Sequence, residues 1–180
     1  PPRRRPVKGR PIRGGVVDKD GTLLACHATW DATFGAMMEQ FSGGDAALMD
    51  ELDGVLGFDR GRGTILPDSP FVADSNDGFA ARLGAVIGRD DVAALAVEIE
   101  EAITRHSPAM PVAEPGAEEL LGSLHERGVP MAIATNDNAW RAAEQMAALG
   151  WRERFTGVFG YDSGHGEKPG ARERCATFAW

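Results

Sequence analysis

The chain has 180 residues, of which 43% are hydrophobic and 26% charged, enough apolar material for a core and too much for a disordered tail. No run approaches the ~18 apolar residues of a membrane span, no apolar leader core stands near the start, and two distant cysteines, Cys26 and Cys175, make neither a disulfide framework nor a zinc site. The net charge is −8, yet Arg3, Arg4, Arg5, Lys8, Arg10 and Arg13 precede the first acid, Asp18. The rest of the chain thus sets 13 bases against 27 acids, which argues against a general nucleic-acid binder. The expectations are a frayed Pro/Arg arm over 1–11, a cytoplasmic protein and no membrane partner. Oligomeric state is not encoded in any pattern found.

In chain order, Ile12 to Val17 is a short, β-branched run that ends at Asp18-Lys19-Asp20-Gly21-Thr22, the pattern of a buried strand entering a turn. Residues 28–108 read as Gly-broken helices. Trp30, Phe34, Met37, Met38 and Phe41 recur at helical spacing and are assigned to core. Gly54 to Pro70 reads as mostly loop. Val92, Leu95, Ile99 and Ile103 form a second stripe, with Asp90 or Asp91 as N-cap. A helix with Leu120, Leu121 and Leu124 follows Pro115 and stops at Gly128. Met131–Ala134 is a short strand, Asn138 caps a helix over 139–149, and Val158-Phe159-Gly160 is a third strand. Strands alternating with helices predict an α/β fold with a parallel sheet.

Polar residues stand just past each strand: Asp18 and Asp20, then Thr135, then Lys168, at separations of 117 and 33 residues from Asp18 to Thr135 to Lys168. Parallel sheets bind ligands at the carboxyl ends of their strands, so these positions can converge. Together they suit phosphoryl transfer. Asp18 can attack phosphorus, and Asp20, two positions on in extended chain, can exchange the leaving-group proton. Thr135 and Lys168 can hold the equatorial oxygens, Gly21 lets backbone amides approach an anion, and magnesium would bridge carboxylates and phosphate.

The segment Val16-Val17-Asp18-Lys19-Asp20-Gly21-Thr22-Leu23 resembles the first motif of the haloacid dehalogenase (HAD) superfamily, Ile133-Ala134-Thr135-Asn136 its second, and Lys168-Pro169 its third. The resemblance implies a Rossmann-like parallel core over 12–27 and 109–180, with an inserted α-helical cap over 28–108, placed as in the phosphoglycolate phosphatase-like branch. It implies Asp18 as nucleophile and Mg2+ ligand, and Asp20 as general acid/base with its carbonyl on the metal. Thr135 would bind the phosphoryl group and Lys168 would balance charge. Gly21, Thr22 and Asn136 are the candidate substrate-binding residues. A halide leaving group needs no proton, so an acid at Asp20 favours a phosphatase over a dehalogenase. The expected activity is hydrolysis of a small phosphorylated metabolite, phosphoglycolate first among them. A phosphomutase and a phosphonate hydrolase are the nearest alternatives.

The family's fourth motif, a Gly-Asp with a further Asp, has no counterpart among the 12 residues after Lys168, whose one acid is Glu173. The expectation is a chain truncated or frame-shifted at its end, a poor phosphatase in this form, with a non-catalytic phosphate-binding module as the rival reading. A receiver domain also aligns Asp, Thr and Lys, but 117 residues are too many for its compact βα units. Cys26-His27 is read as no thiol site, since adjacent side chains diverge. His27 is placed to face the cap and substrate, and His165 in a solvent-exposed loop.

Overall fold

The structure, a computed structural model, describes residues 12–108 and 110–164. The arm over 1–11, and with it His165, Lys168 and Cys175, lies outside the described residues.

Among the described residues three short strands form the main sheet. Strand β1 (Gly15–Val17) is shorter than the apolar run, because Ile12 is 57% exposed and only the last three residues pair. Helix α1 (Cys26–Ser42) opens the insertion two residues before the expected boundary. Helix α2 (Ala46–Leu56) follows, its first amides at Ala47 and Leu48 taken by the Asp45 carboxylate at 2.9 and 3.0 Å. The expected loop is therefore partly helix. Its middle is a hairpin, β2 (Phe58–Asp59) against β3 (Thr64–Ile65). Such two-residue strands are too short to show alternation.

Helices α3 (Pro70–Ala73), α4 (Asn76–Ile87) and α5 (Val92–His106) complete the insertion. Asp91 does stand at the α5 N-cap position, but its carboxylate binds Arg89 at 2.6 Å instead of a helix amide. The chain then returns through α6 (Ala117–Glu126), β4 (Met131–Ala134), α7 (Ala139–Ala148) and β5 (Gly157–Phe159).

The sheet order is β1-β4-β5, all parallel, with Val17 opposite Ile133 and Ile133 opposite Val158. Strand β4 is central and all four of its residues are buried, the continuous apolar run of a strand covered on both faces. Two apolar clusters result. The insertion packs Phe34, Met37, Leu52, Leu83 and Leu95 around its own centre, and the expected stripes of α1 and α5 face it. The sheet packs Leu24, Leu121, Ile133, Met146 and Trp151. This is an α/β Rossmann-like core carrying a helical cap. Among the described residues no helix is long and apolar enough to cross a membrane.

Candidate active site

The turn after β1 sorts its side chains by alternation. Asp18 and Asp20 both line a cavity of about 220 Å³ between sheet and cap, whereas Lys19 points inward and is fully buried. The turn closes on the Lys19 carbonyl, which accepts from the Leu23 and Leu24 amides at 2.9 and 3.0 Å. Gly21 takes φ +73°, a left-handed conformation that disfavours a side chain. Its amide donates to the Leu24 carbonyl at 2.8 Å, and the Thr22 amide turns to Lys19. The expected exposure of this amide to an anion is thus corrected: the turn uses it to close itself. Gly21 and Thr22 are exposed outside the residues that line the cavity.

The loop after β4 brings the second group. Thr135 and Asn136 line the same cavity as Asp18 and Asp20, 117 residues away in sequence from Asp18 to Thr135. The Thr135 amide donates to Phe159 at 2.9 Å, extending the sheet. Its hydroxyl oxygen accepts from the Asp137 amide at 3.1 Å, which leaves the O–H as a donor. Asn138 caps α7 through Trp140 at 2.9 Å. Gly160 packs behind this loop so closely that a Cβ there would stand 2.3 Å from the Ala139 nitrogen and 2.4 Å from the Asp137 oxygen.

A buried charge network supports both loops. The Lys19 ammonium lies 2.6 Å from Asp137, 2.6 Å from the Gln145 side-chain oxygen and 3.1 Å from Asp20. Asp137 also pairs with Arg141, whose other nitrogen reaches Glu100 of the cap at 2.6 Å and Thr104 at 3.2 Å. The Trp30 indole N–H donates to Asp20 at 2.7 Å. Trp30 is therefore cap core, as its spacing suggests, and a site residue as well. Burial pushes the Asp20 carboxyl above the usual carboxylate range; Lys19 opposes this, Asp137 adds to it, and the Trp30 hydrogen bond opposes it.

Sequence reasoning missed Lys19, Asp137, Arg141 and Glu100. The one signal available was a lysine between two acids directly after a strand of apolar residues, which has to be paired if it is buried. The expected position of His27 is also corrected. It is 67% exposed and binds Asp31 at 3.3 Å and Thr64 at 3.1 Å, away from the residues that line the cavity. Cys26 does line the cavity, but burial and the charges of Asp20 and Asp31 push its thiol up to about 11, so it stays protonated at neutral pH.

Among the described residues no three His, Cys, Asp or Glu side chains cluster as a metal cage. The donors at the site are hard oxygens from Asp18 and Asp20, with both Asp20 carboxylate oxygens already engaged by Trp30 and Lys19. Such a set fits a magnesium ion that keeps several waters and takes further oxygens from a phosphate.

A carboxylate pair and a hydroxyl thus stand at the carboxyl ends of adjacent parallel strands, beneath the inserted helices. The haloacid dehalogenase-like hydrolase family matches residues 12–174, and the chain belongs to that family. No curated protein is similar enough in sequence to match. Among solved structures, a Clostridium difficile protein described provisionally as a phosphatase superposes with TM-score 0.57 at 17% identity, over 84% of this chain and 62% of that one. A Bacillus subtilis HAD-type hydrolase described as bound to magnesium gives 0.55 at 15% identity, over 89% and 68%. A Haemophilus somnus chain described as a predicted phosphoglycolate phosphatase gives 0.54 at 14% identity, over 88% and 66%. This chain therefore spans about two thirds of the length of these neighbours.

Proposed function

We propose that the protein is a magnesium-dependent phosphomonoester hydrolase, with residues 28–108 as the cap over its site. The observation that carries this reading is the convergence of Asp18, Asp20 and Thr135 on one cavity at the carboxyl ends of β1 and β4. An Asp18 carboxylate oxygen attacks phosphorus and the bond from phosphorus to the ester oxygen breaks. Asp20, whose raised pKa suits a group that must carry a proton, protonates the departing alkoxide. It then takes a proton from the water that attacks the phosphoryl-Asp18, releasing phosphate and restoring both carboxyl groups. The Thr135 hydroxyl donates to the transferring group, and Lys168 supplies a balancing cation. Magnesium, when bound by Asp18 and the Asp20 carbonyl, would offset the repulsion between carboxylates and phosphate. Phosphoglycolate is the first substrate to test, since the family resemblance and one neighbour's description both name it.

The test is trapping of the phosphoryl enzyme. The full chain is incubated with magnesium and p-nitrophenyl phosphate, quenched in acid and weighed intact. One added phosphoryl group is expected, absent from Asp18→Asn, with the circular dichroism of the two proteins equal. An adduct that persists in Asp18→Asn would move the nucleophile elsewhere.

A further inference from the structure

The cap side of the cavity is built for something other than an anion. Its wall is Trp30, Phe71, Val72, Phe79, Ile99 and Ile103. The rings are fixed against one another, Trp30 edge-on to Phe71 at 5.8 Å and Phe71 edge-on to Phe79 at 5.5 Å, so this wall is preformed. Five acids border the cavity: Asp18, Asp20, Asp74, Glu100 and Asp137. Among the described residues the one cationic side chain lining it is Arg141. Its terminal nitrogens are already bound to Asp137 and to Glu100, and its Nε, which has no hydrogen-bond partner, is buried out of reach of solvent.

Among the described residues, a carboxylate on the leaving group would thus meet five acids and no cationic side chain whose terminal nitrogens are unpaired. Its desolvation would go uncompensated. An uncharged hydrocarbon loses nothing there and gains the contact of the aromatic wall. The volume, about 220 Å³, also limits the occupant: a dry apolar cavity of ~150 Å³ already takes one benzene ring.

We propose that the leaving group of this enzyme's substrate is a small uncharged apolar alcohol, a short branched alkyl chain or a single ring, and not a hydroxy acid. The inference rests on the phosphatase reading above and narrows its substrate away from phosphoglycolate.

Binding of non-hydrolysable phosphonates to the full chain, with magnesium present and by calorimetry, tests this without requiring turnover. Three probes suffice: inorganic phosphate, 3-phosphonopropionate, and 3-methylbutylphosphonate, in which an isopropyl end replaces the carboxylate. The alkyl phosphonate is expected to bind about tenfold tighter than the carboxylate, roughly what burial of two methyl groups supplies. Val72→Lys, at a cavity-lining side chain that is 55% exposed and so tolerant of charge, should narrow or reverse that ratio, each phosphonate being read against the variant's own phosphate affinity. Equal or tighter binding of 3-phosphonopropionate by the unmodified chain, with phosphate still bound, overturns this inference alone. Failure of all three probes to bind overturns the phosphatase reading and the inference with it.

Discussion

Replacing Lys19 with Met removes a charge from the least accessible point of the site while keeping most of the side-chain volume. The ammonium makes two contacts of 2.6 Å, to Asp137 and Gln145, and one of 3.1 Å to Asp20. Removing one partner of a buried ion pair costs about 3–5 kcal/mol, because the other charge stays desolvated. Asp137 retains Arg141 and the Asn138 amide at 2.8 Å, and Asp20 retains the Trp30 indole, which places Lys19→Met at the lower end, about 3 kcal/mol. At roughly 2–4 °C per kcal/mol for a chain of this size, the melting temperature should fall by about 6–12 °C. Thermal melts of Lys19→Met, Asp137→Asn and the double variant form a cycle. The double variant should be less destabilised than the sum of the singles by at least about 1 kcal/mol. A fall below about 2 °C for Lys19→Met, or strict additivity across the cycle, would refute the view that this lysine is held by charge and not by packing alone.

Three further outcomes are expected. Gly160→Ala drives a methyl into the backbone at Ala139 and Asp137, so denaturant melts should show a loss above about 2 kcal/mol, and the loop carrying Thr135 should lose hydrogen-exchange protection. Asn138→Ala removes the α7 cap and should cost about 1 kcal/mol in the same melts, with no change in the cap cluster's near-ultraviolet signal. Trp30→Phe removes a hydrogen bond that favours ionised Asp20. The Asp20 pKa should rise further, moving its limb of the pH–rate profile with p-nitrophenyl phosphate toward higher pH; a shift toward lower pH would contradict the geometry.

The Arg141 bridge bears on how cap and core act together. Arg141 stands on α7 of the core, and Glu100 and Thr104 stand on α5 of the cap. The cap is thereby tied to the same Asp137 that holds Lys19 beneath the carboxylate pair. A cap that swings away must break the Glu100 contact, and burying Arg141 again on closure restores it. Opposed by burial but favoured by Asp137 and Glu100, the guanidinium is held above its already high ordinary pKa, so the arginine end of this tie keeps its charge.

Local patterns in the chain specified much of this molecule. The stripe Trp30, Phe34, Met37 and Met38 marks a buried helix face, Met131–Ala134 a short apolar strand, and Asn138 a cap, because a period of 3.6, an unbroken apolar run and the needs of a helix end act over a few residues. Asp18 and Asp20 also fall on one cavity because alternation in an extended segment is local. The hairpin at Phe58–Asp59 and Thr64–Ile65 was illegible, since two residues show no period. The network of Lys19, Asp137, Arg141 and Glu100 was illegible for a different reason. Its contacts span up to 118 residues, and no spacing rule links a lysine in a turn to an aspartate past another strand. Only the tertiary fold, by laying β1 beside β4 and bringing Glu100 of α5 to Arg141 of α7, decides which buried charge meets which, and burial is what makes that pairing obligatory.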